Sequence, residues 1–148
     1  MPYTNILIPL DGSPDSVFAC ETAMNITCPD PAGRTVHLLH CVDPIPNLIG
    51  GASRDDLQEE QQNEADKIFA QAKAMLEPRG FVCRTYIREG SPGEAIVAAA
   101  KETNSEIIIM GTRGLGKLES LFLGSVSREV LRNAHIPVVL ANKPHRSS

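Results

Sequence analysis

The stretch Ile107-Ile108-Ile109-Met110-Gly111-Thr112-Arg113-Gly114 decides the fold class, together with Gly124-Ser125-Val126-Ser127 shortly after it. An apolar run without polar interruption is typical of a strand that is buried on both faces of a parallel sheet. The glycines that follow let the backbone approach an anion closely, and the first turn of the next helix aims its amides at that anion. The two segments therefore predict a strand, a phosphate-binding loop and a helix.

A similar arrangement begins the chain, where Ile6-Leu7-Ile8-Pro9-Leu10-Asp11-Gly12-Ser13 is an apolar strand ending in a polar turn. Ser13 and Pro14 then suit a helix cap and a first helical residue. Strand patterns cover residues 5–10, 35–42, 81–89, 106–110 and 136–141, and helices are predicted from Ser13, Ser53, Ser125 and a capping box at Ser91-Pro92-Gly93-Glu94. This alternation predicts an α/β fold with a doubly wound, Rossmann-like parallel sheet of five strands and helices on both faces. If the first and fourth strands are neighbours, their ends enclose a nucleotide-sized crevice.

Length and composition exclude several classes of protein. A chain of 148 residues suits one domain, for which we expect residues 1–142, followed by a polar tail at 143–148. A net charge of −4, few aromatic residues and no Trp argue against nucleic-acid binding. No apolar stretch approaches the roughly 20 residues of a membrane helix, and no signal peptide is evident. We therefore expect no membrane insertion and a cytoplasmic location.

The cysteines and histidines do not form a metal-binding pattern. No two of the four cysteines have C-x-x-C spacing, so we expect reduced thiols in or near the core. His37, His40 and Cys41 are close together on a predicted strand, but alternation places His40 on the opposite face from the other two. A three-ligand zinc site fits this arrangement poorly, and no metal site is expected here.

The glycine spacing resembles that of a known family. The pattern Gly111-x2-Gly114-x9-Gly124-Ser125 is similar to the G-2x-G-9x-G-S/T signature of universal stress proteins that bind ATP. The opening strand and turn, Gly90-Ser91-Pro92 and Ala134-His135-Ile136-Pro137-Val138 also resemble this family, so the likeness extends over nearly the whole chain. The resemblance implies a sheet of order 3-2-1-4-5, ATP binding with Mg²⁺ or Mn²⁺, and a homodimer.

The resemblance also implies a set of binding residues. Pro9 and Asp11 correspond to residues beside adenine and ribose, and Val42 corresponds to a residue that contacts adenine through its backbone. The residues implied around ribose and phosphates are Met110, Gly111, Arg113, Gly114, Gly124, Ser125 and Val126. Simpler interpretations stay open, because the glycines suit tight turns and Asp11 suits a residue that orders the turn before Ser13. Ser125 suits a phosphate ligand, a helix cap or a phosphoacceptor.

The function predicted from these features is regulation through ATP occupancy and through contacts with a second copy or an unidentified protein client. No Walker lysine and no arranged base are evident, so we expect slow hydrolysis or none and assign no catalytic residue. One alternative is an ATP-splitting enzyme related to ATP pyrophosphatases. Residues 11–16 of this chain faintly resemble the S-G-G-x-D-S loop of those enzymes. Asp11 would repel pyrophosphate there. Another alternative is a partner-binding module that has lost its nucleotide.

The last predicted strand, Pro137-Val138-Val139-Leu140-Ala141, is short and apolar and lies at a predicted edge of the sheet. Such an edge leaves backbone amides and carbonyls unpaired, which favours pairing with the same strand of a second copy. We therefore expect the homodimer to form through this strand.

Overall fold

The computed structural model describes residues 3–27, 33–112 and 123–142. Strands and helices alternate along these residues, as the sequence predicts. The strands are β1 (Asn5–Pro9), β2 (Arg34–Val42), β3 (Phe81–Glu89), β4 (Ile107–Gly111) and β5 (Val138–Ala141). The helices are α1 (Pro14–Ile26), α2 (Gly51–Leu76), α3 (Pro92–Glu102) and α4 (Ser125–Asn133), and a 3-10 turn (Glu77–Arg79) follows α2. The predicted tail at 143–148 lies outside the described residues.

The strands form one parallel sheet in the order β3-β2-β1-β4-β5, which confirms the predicted fold class and strand order. β1 and β4 lie side by side at its centre, where Ile6 pairs with Ile107 and Leu7 with Ile108. All four of these side chains are buried. The chain reverses its winding direction between β1 and β4, and ligands of such sheets bind beyond the carboxyl ends of the strands at this point.

Two hydrophobic cores cover the two faces of the sheet. Ile6 and Ile8 of β1 lie in a core with α1 and α2, whereas Leu7 lies in a second core with α3 and α4. Successive side chains of a strand point to opposite faces, so an uninterrupted apolar run fills both cores at once. In the described part of the chain, no helix is both long and apolar enough to span a membrane.

The helix starts differ in how far the sequence predicts them. At α1 the expected cap is confirmed, since the Ser13 hydroxyl accepts a hydrogen bond from the Ser16 amide at 3.2 Å. At α3 the predicted cap residue Ser91 and first helical residue Pro92 are confirmed, but the capping box does not form, because the Ser91 side chain makes no capping hydrogen bond. Helix α2 begins at Gly51, two residues before the expected Ser53.

His37 joins the three strands of one half of the sheet. Its Nε2 lies 2.6 Å from Asn5 Oδ1 on β1, and its Nδ1 lies 2.9 Å from the Tyr86 hydroxyl on β3. Burial, reinforced by the positive charge of Arg84, lowers the pKa of His37 below its usual 6.5. The side chain is therefore a neutral structural link between strands at neutral pH.

Candidate functional site

A cavity of about 300 Å³ lies at the carboxyl edge of the sheet, where β1 and β4 end. Its walls come from the ends of β1, β2 and β4 and from the starts of α1, α3 and α4. This is the position that the reversal of winding predicts for a ligand site.

Most of the predicted binding residues lie at this cavity. Seven of the ten line it, and these are Pro9, Asp11, Met110, Gly111, Gly124, Ser125 and Val126. Arg113 and Gly114 lie outside the described residues. Val42 ends β2 but does not contribute to the cavity lining, which includes its neighbour Cys41 instead.

The backbone hydrogen bonds explain why Cys41 rather than Val42 lines the cavity. The Leu39 carbonyl accepts from the Leu10 amide at 2.7 Å and so faces β1, whereas the Val42 carbonyl accepts from the Gly90 amide at 3.2 Å, beyond the end of β3. Backbone polar groups alternate between the two sides of a strand, so those of Cys41 face the side of β1. Because β1 ends at Pro9, they point towards the cavity. Counting this alternation from the last paired residue of β2 would have identified Cys41.

One half of the cavity is apolar. Leu39 and Cys41 of β2, Ile96 of α3 and Met110 of β4 form much of its wall. Burial raises the pKa of the Cys41 thiol, and nearby Arg88 offsets this effect only in part. The thiol is therefore neutral at physiological pH, and this half suits a flat, uncharged group.

The other half of the cavity contains the open amino terminus of α4. Gly124 is the cap residue and has no side chain with which to satisfy the first amides of the helix. The first helical hydrogen bond runs from the Arg128 amide to the Gly124 carbonyl at 3.1 Å, so the amides of residues 125–127 have no partner within the helix. Together with the helix dipole, these amides suit an anion. The start of α1 is different, because Ser13 already caps it.

Asp11 carries the only charge among the cavity-lining side chains that the structure describes. Its Oδ1 accepts a hydrogen bond from the Ser13 amide at 2.9 Å, so the residue orders the turn that leads into α1. The carboxylate is exposed and lies beside the cavity. The predicted role in the turn is thus observed, and a ligand contact by the second oxygen is compatible with it.

Gly111 is required by packing between β4 and α1. A Cβ atom at this position would lie 2.9 Å from the carbonyl carbon of Asp15 and 3.1 Å from the amide nitrogen of Ser16. Both are backbone atoms of the first turn of α1, so they cannot turn aside. The sequence pattern suggests a different reason, close approach to phosphate, and it does not reveal this helix contact.

Two further side chains complete the polar half. Thr112 follows β4, and Ser127 lies in the first turn of α4, and both are buried. Neither residue is among those that the sequence predicts for the site. Each has its hydroxyl engaged within the protein, Thr112 with Asp15 and Ser127 with two backbone carbonyls.

Residues 2–142 match the model of the universal stress protein family. The chain belongs to this family. Universal stress protein MJ0531 of Methanocaldococcus jannaschii is 35% identical over 146 residues, which cover 97% of this chain and 85% of that protein. Universal stress protein MJ0577 of the same organism is 34% identical over 157 residues, with 95% and 96% coverage. The solved structure of MJ0577 superposes with a TM-score of 0.82 and 27% identity, covering 99% of this chain and 100% of that one.

Solved structures of the same fold contain adenine nucleotides. A universal stress protein in complex with cAMP superposes with a TM-score of 0.71 and 22% identity, covering 99% of this chain and 100% of that chain. The protein from Archaeoglobus fulgidus in complex with dAMP gives 0.67 and 22%, with 95% and 99% coverage. An Arabidopsis thaliana family member with bound AMP gives 0.71 and 17%, with 95% and 92% coverage. At these identities the comparison establishes a shared fold.

Proposed function

We propose that this protein is an ATP-binding universal stress protein that acts as a regulator through nucleotide occupancy. The observation that carries the proposal is the two-part cavity at the switch point of the sheet, with an apolar half and the open amino terminus of α4. This division matches the two parts of a nucleotide, an apolar base and charged phosphates. Adenine nucleotides in proteins of the same fold support the choice of base.

The geometry suggests how the nucleotide would lie. Adenine would pack against the apolar half, with its edge at the backbone of Cys41 rather than Val42. Ribose would lie near Pro9 and Asp11, and the phosphates would extend towards the amides of Ser125 and Val126. The cavity-lining residues that the structure describes include no basic side chain, so we expect Arg113 or a divalent cation to offset the phosphate charge.

Mg²⁺ or Mn²⁺ fits this site as a cation that is bound together with the nucleotide. Within the described residues, no group of three His, Cys, Asp or Glu side chains could hold a metal ion. Mg²⁺ is usually bound by one or two carboxylates together with phosphate oxygens and water. The cation would therefore arrive with the nucleotide, and Asp11 is the one carboxylate among the described residues that line the cavity.

Calorimetric titration tests the proposal. We expect binding of magnesium-ATP and weaker binding of GTP, because the Cys41 backbone would distinguish the base edges. Gly114→Val should abolish binding by filling space that the phosphates need, while its circular dichroism stays native. The absence of binding by AMP, ADP and ATP would refute the proposal, and unchanged binding by Gly114→Val would show that the phosphates lie elsewhere.

We expect hydrolysis to be slow or absent. Among the described residues that line the cavity, the one carboxylate is that of Asp11, which already accepts a hydrogen bond from the Ser13 amide. The hydroxyls of Thr112 and Ser127 already donate their protons within the protein. In the alternative enzyme, related to ATP pyrophosphatases, the turn after β1 would hold pyrophosphate. Here the Ser13 amide of that turn already donates a hydrogen bond to the Asp11 carboxylate, so it is not available to pyrophosphate. Phosphate release at roughly 1 per second or faster by protein free of contaminating ATPase would contradict this expectation.

Regulation would act through β5. This strand lies at an edge of the sheet, and its Val138, Val139 and Leu140 are only partly buried. We propose that two copies pair through it in the cytoplasm and that the nucleotide sets the geometry of the dimer or its choice of client. Cavity-lining residues pair directly with this strand, since Met110 lies opposite Leu140 and Gly111 opposite Ala141.

A further inference from the structure

The hydroxyl of Ser127 joins the start of α4 to the end of β4. It lies 3.2 Å from the Gly111 carbonyl oxygen and 3.1 Å from the Thr112 carbonyl oxygen, to which it donates. Only 2% of the residue is exposed, so water does not compete effectively for these contacts. One buried hydroxyl therefore ties the anion-facing helix end to the central strand.

Thr112 is a fixed point for this contact. Its amide donates to the Ala141 carbonyl on β5 at 3.3 Å, and its hydroxyl donates to Asp15 Oδ2 on α1 at 3.3 Å. Its carbonyl accepts from the Gly124 amide at 2.9 Å as well as from Ser127. Four hydrogen bonds to three other elements thus hold Thr112, and α4 is aligned against a residue that cannot easily shift.

The contacts of Gly124 and Ser127 together orient α4. The Gly124 bond alone would act as a pivot, about which the helix start could still tilt. The Ser127 hydroxyl adds a second attachment one turn further along and reaches two carbonyls rather than one. Two attachments fix both the position and the direction of the amides of residues 125–127. Binding groups need to be held within about 0.5 Å of the productive geometry, and supporting hydrogen bonds supply that precision.

We propose that Ser127 is a positioning residue for the phosphate half of the cavity. This inference rests on the proposed nucleotide site and names the residue that sets its anion affinity. The hydroxyl does not contact the ligand, because its proton is already donated to the two carbonyls. The apolar half is formed by side chains of β2, α3 and β4, and of these elements the Ser127 hydroxyl contacts only β4, at the Gly111 carbonyl. Pairing with β1 and β5 holds β4 in place without that contact. Loss of the hydroxyl should therefore weaken phosphate binding and spare binding of the base.

Ser127→Ala tests this division when adenosine, AMP and ATP are titrated against it by calorimetry or displacement. We expect adenosine affinity to stay within about twofold of wild type and ATP affinity to fall about tenfold, with AMP between them. Ser105→Ala is the matched control. Ser105 is also buried, and its hydroxyl pairs with Thr103 Oγ1 at 2.7 Å, but it lies near the opposite end of β4. Its three affinities should match those of wild type.

Hydrogen exchange gives a second readout that needs no ligand. In Ser127→Ala the Gly124 amide should exchange at least tenfold faster, because its bond to Thr112 is left without the second attachment. Ser105→Ala should leave this exchange rate unchanged. A wild-type protein that binds no adenine nucleotide would refute the proposed function, and the exchange rates would still decide whether Ser127 positions α4. Unchanged Gly124 exchange, or equal loss of adenosine and ATP affinity, would overturn the inference.

Discussion

Replacing Gly111 by alanine tests the close packing of β4 against α1. The new Cβ would lie 2.9 Å from both the carbonyl carbon and the Cβ of Asp15, and 3.1 Å from the Ser16 amide nitrogen. Carbon atoms in contact normally stay about 3.5–4.0 Å apart. The first turn of α1 is held by its Ser13 cap, so the contact is relieved only by moving the helix or the strand.

The size of the effect follows from this geometry. Forcing an extra methyl group into a packed site costs typically about 1–3 kcal/mol. For a domain of this size, each kcal/mol lowers the melting temperature by roughly 2–4 °C. We therefore expect Gly111→Ala to lower the free energy of unfolding by about 1–3 kcal/mol and Tm by roughly 2–12 °C. Urea unfolding followed by circular dichroism and a calorimetric scan would measure the two quantities.

Gly93→Ala provides the matched control on α3. The three atoms nearest to a Cβ there all belong to the flexible side chain of Glu129, which would have to turn aside. Glycine within a helix costs roughly 0.5–1 kcal/mol relative to alanine, so this substitution also gains helix stability. We expect its net effect to be within about 1 kcal/mol of zero. A Gly111→Ala protein as stable as Gly93→Ala would refute the packing argument.

Three further predictions concern pH, the cavity and the dimer. The folded state binds a proton at His37 less readily than the unfolded state, so the free energy of unfolding should fall as the pH drops through 6.5. In urea unfolding, His37→Asn should make the free energy of unfolding less dependent on pH in this range. Iodoacetamide at pH 8 should label Cys41 faster than Cys20, because burial raises the pKa of the Cys20 thiol to about 12. ATP should slow the labelling of Cys41 only. If mass spectrometry shows no protection of Cys41 by ATP, the ligand lies elsewhere. Val139→Asp should convert a dimer to monomers, as measured by light scattering. A wild-type protein that is monomeric at about 10–50 µM would exclude the dimer, because association with a micromolar Kd would be detected at that concentration.

The fold is predictable where local signals and burial agree. The run at residues 107–110 is apolar throughout because β4 is buried on both faces, and no other element type suits so short a run followed by glycine. Ser13 and Pro14 fix the start of α1 through local chemistry alone. The start of α2 is less predictable, because the preceding loop is held by Arg54, whose guanidinium donates to carbonyls of that loop. Such a contact becomes visible only in three dimensions.

The site is predictable as a region but not in every residue. The glycine spacing leads to one edge of the sheet, where seven of the ten expected residues line the same cavity. Choosing between Cys41 and Val42 requires the register between β1 and β2, in which Pro9 pairs with Leu39. A shift of one residue turns the backbone polar groups of a strand to its other side. Ser127 escapes the sequence pattern for a related reason, because its partners are backbone carbonyls, which carry no sequence signature.

The hydrogen bonds around Thr112 connect the cavity to the edge strand of the sheet. The residue ends the strand that lines the cavity, and its amide is bonded to Ala141 at the end of β5. A ligand that pulls on the start of α4 therefore acts on the Thr112 carbonyl and, through the same residue, on the edge strand. If a nucleotide binds as proposed, these hydrogen bonds connect it to β5, whose Val138, Val139 and Leu140 are only partly buried.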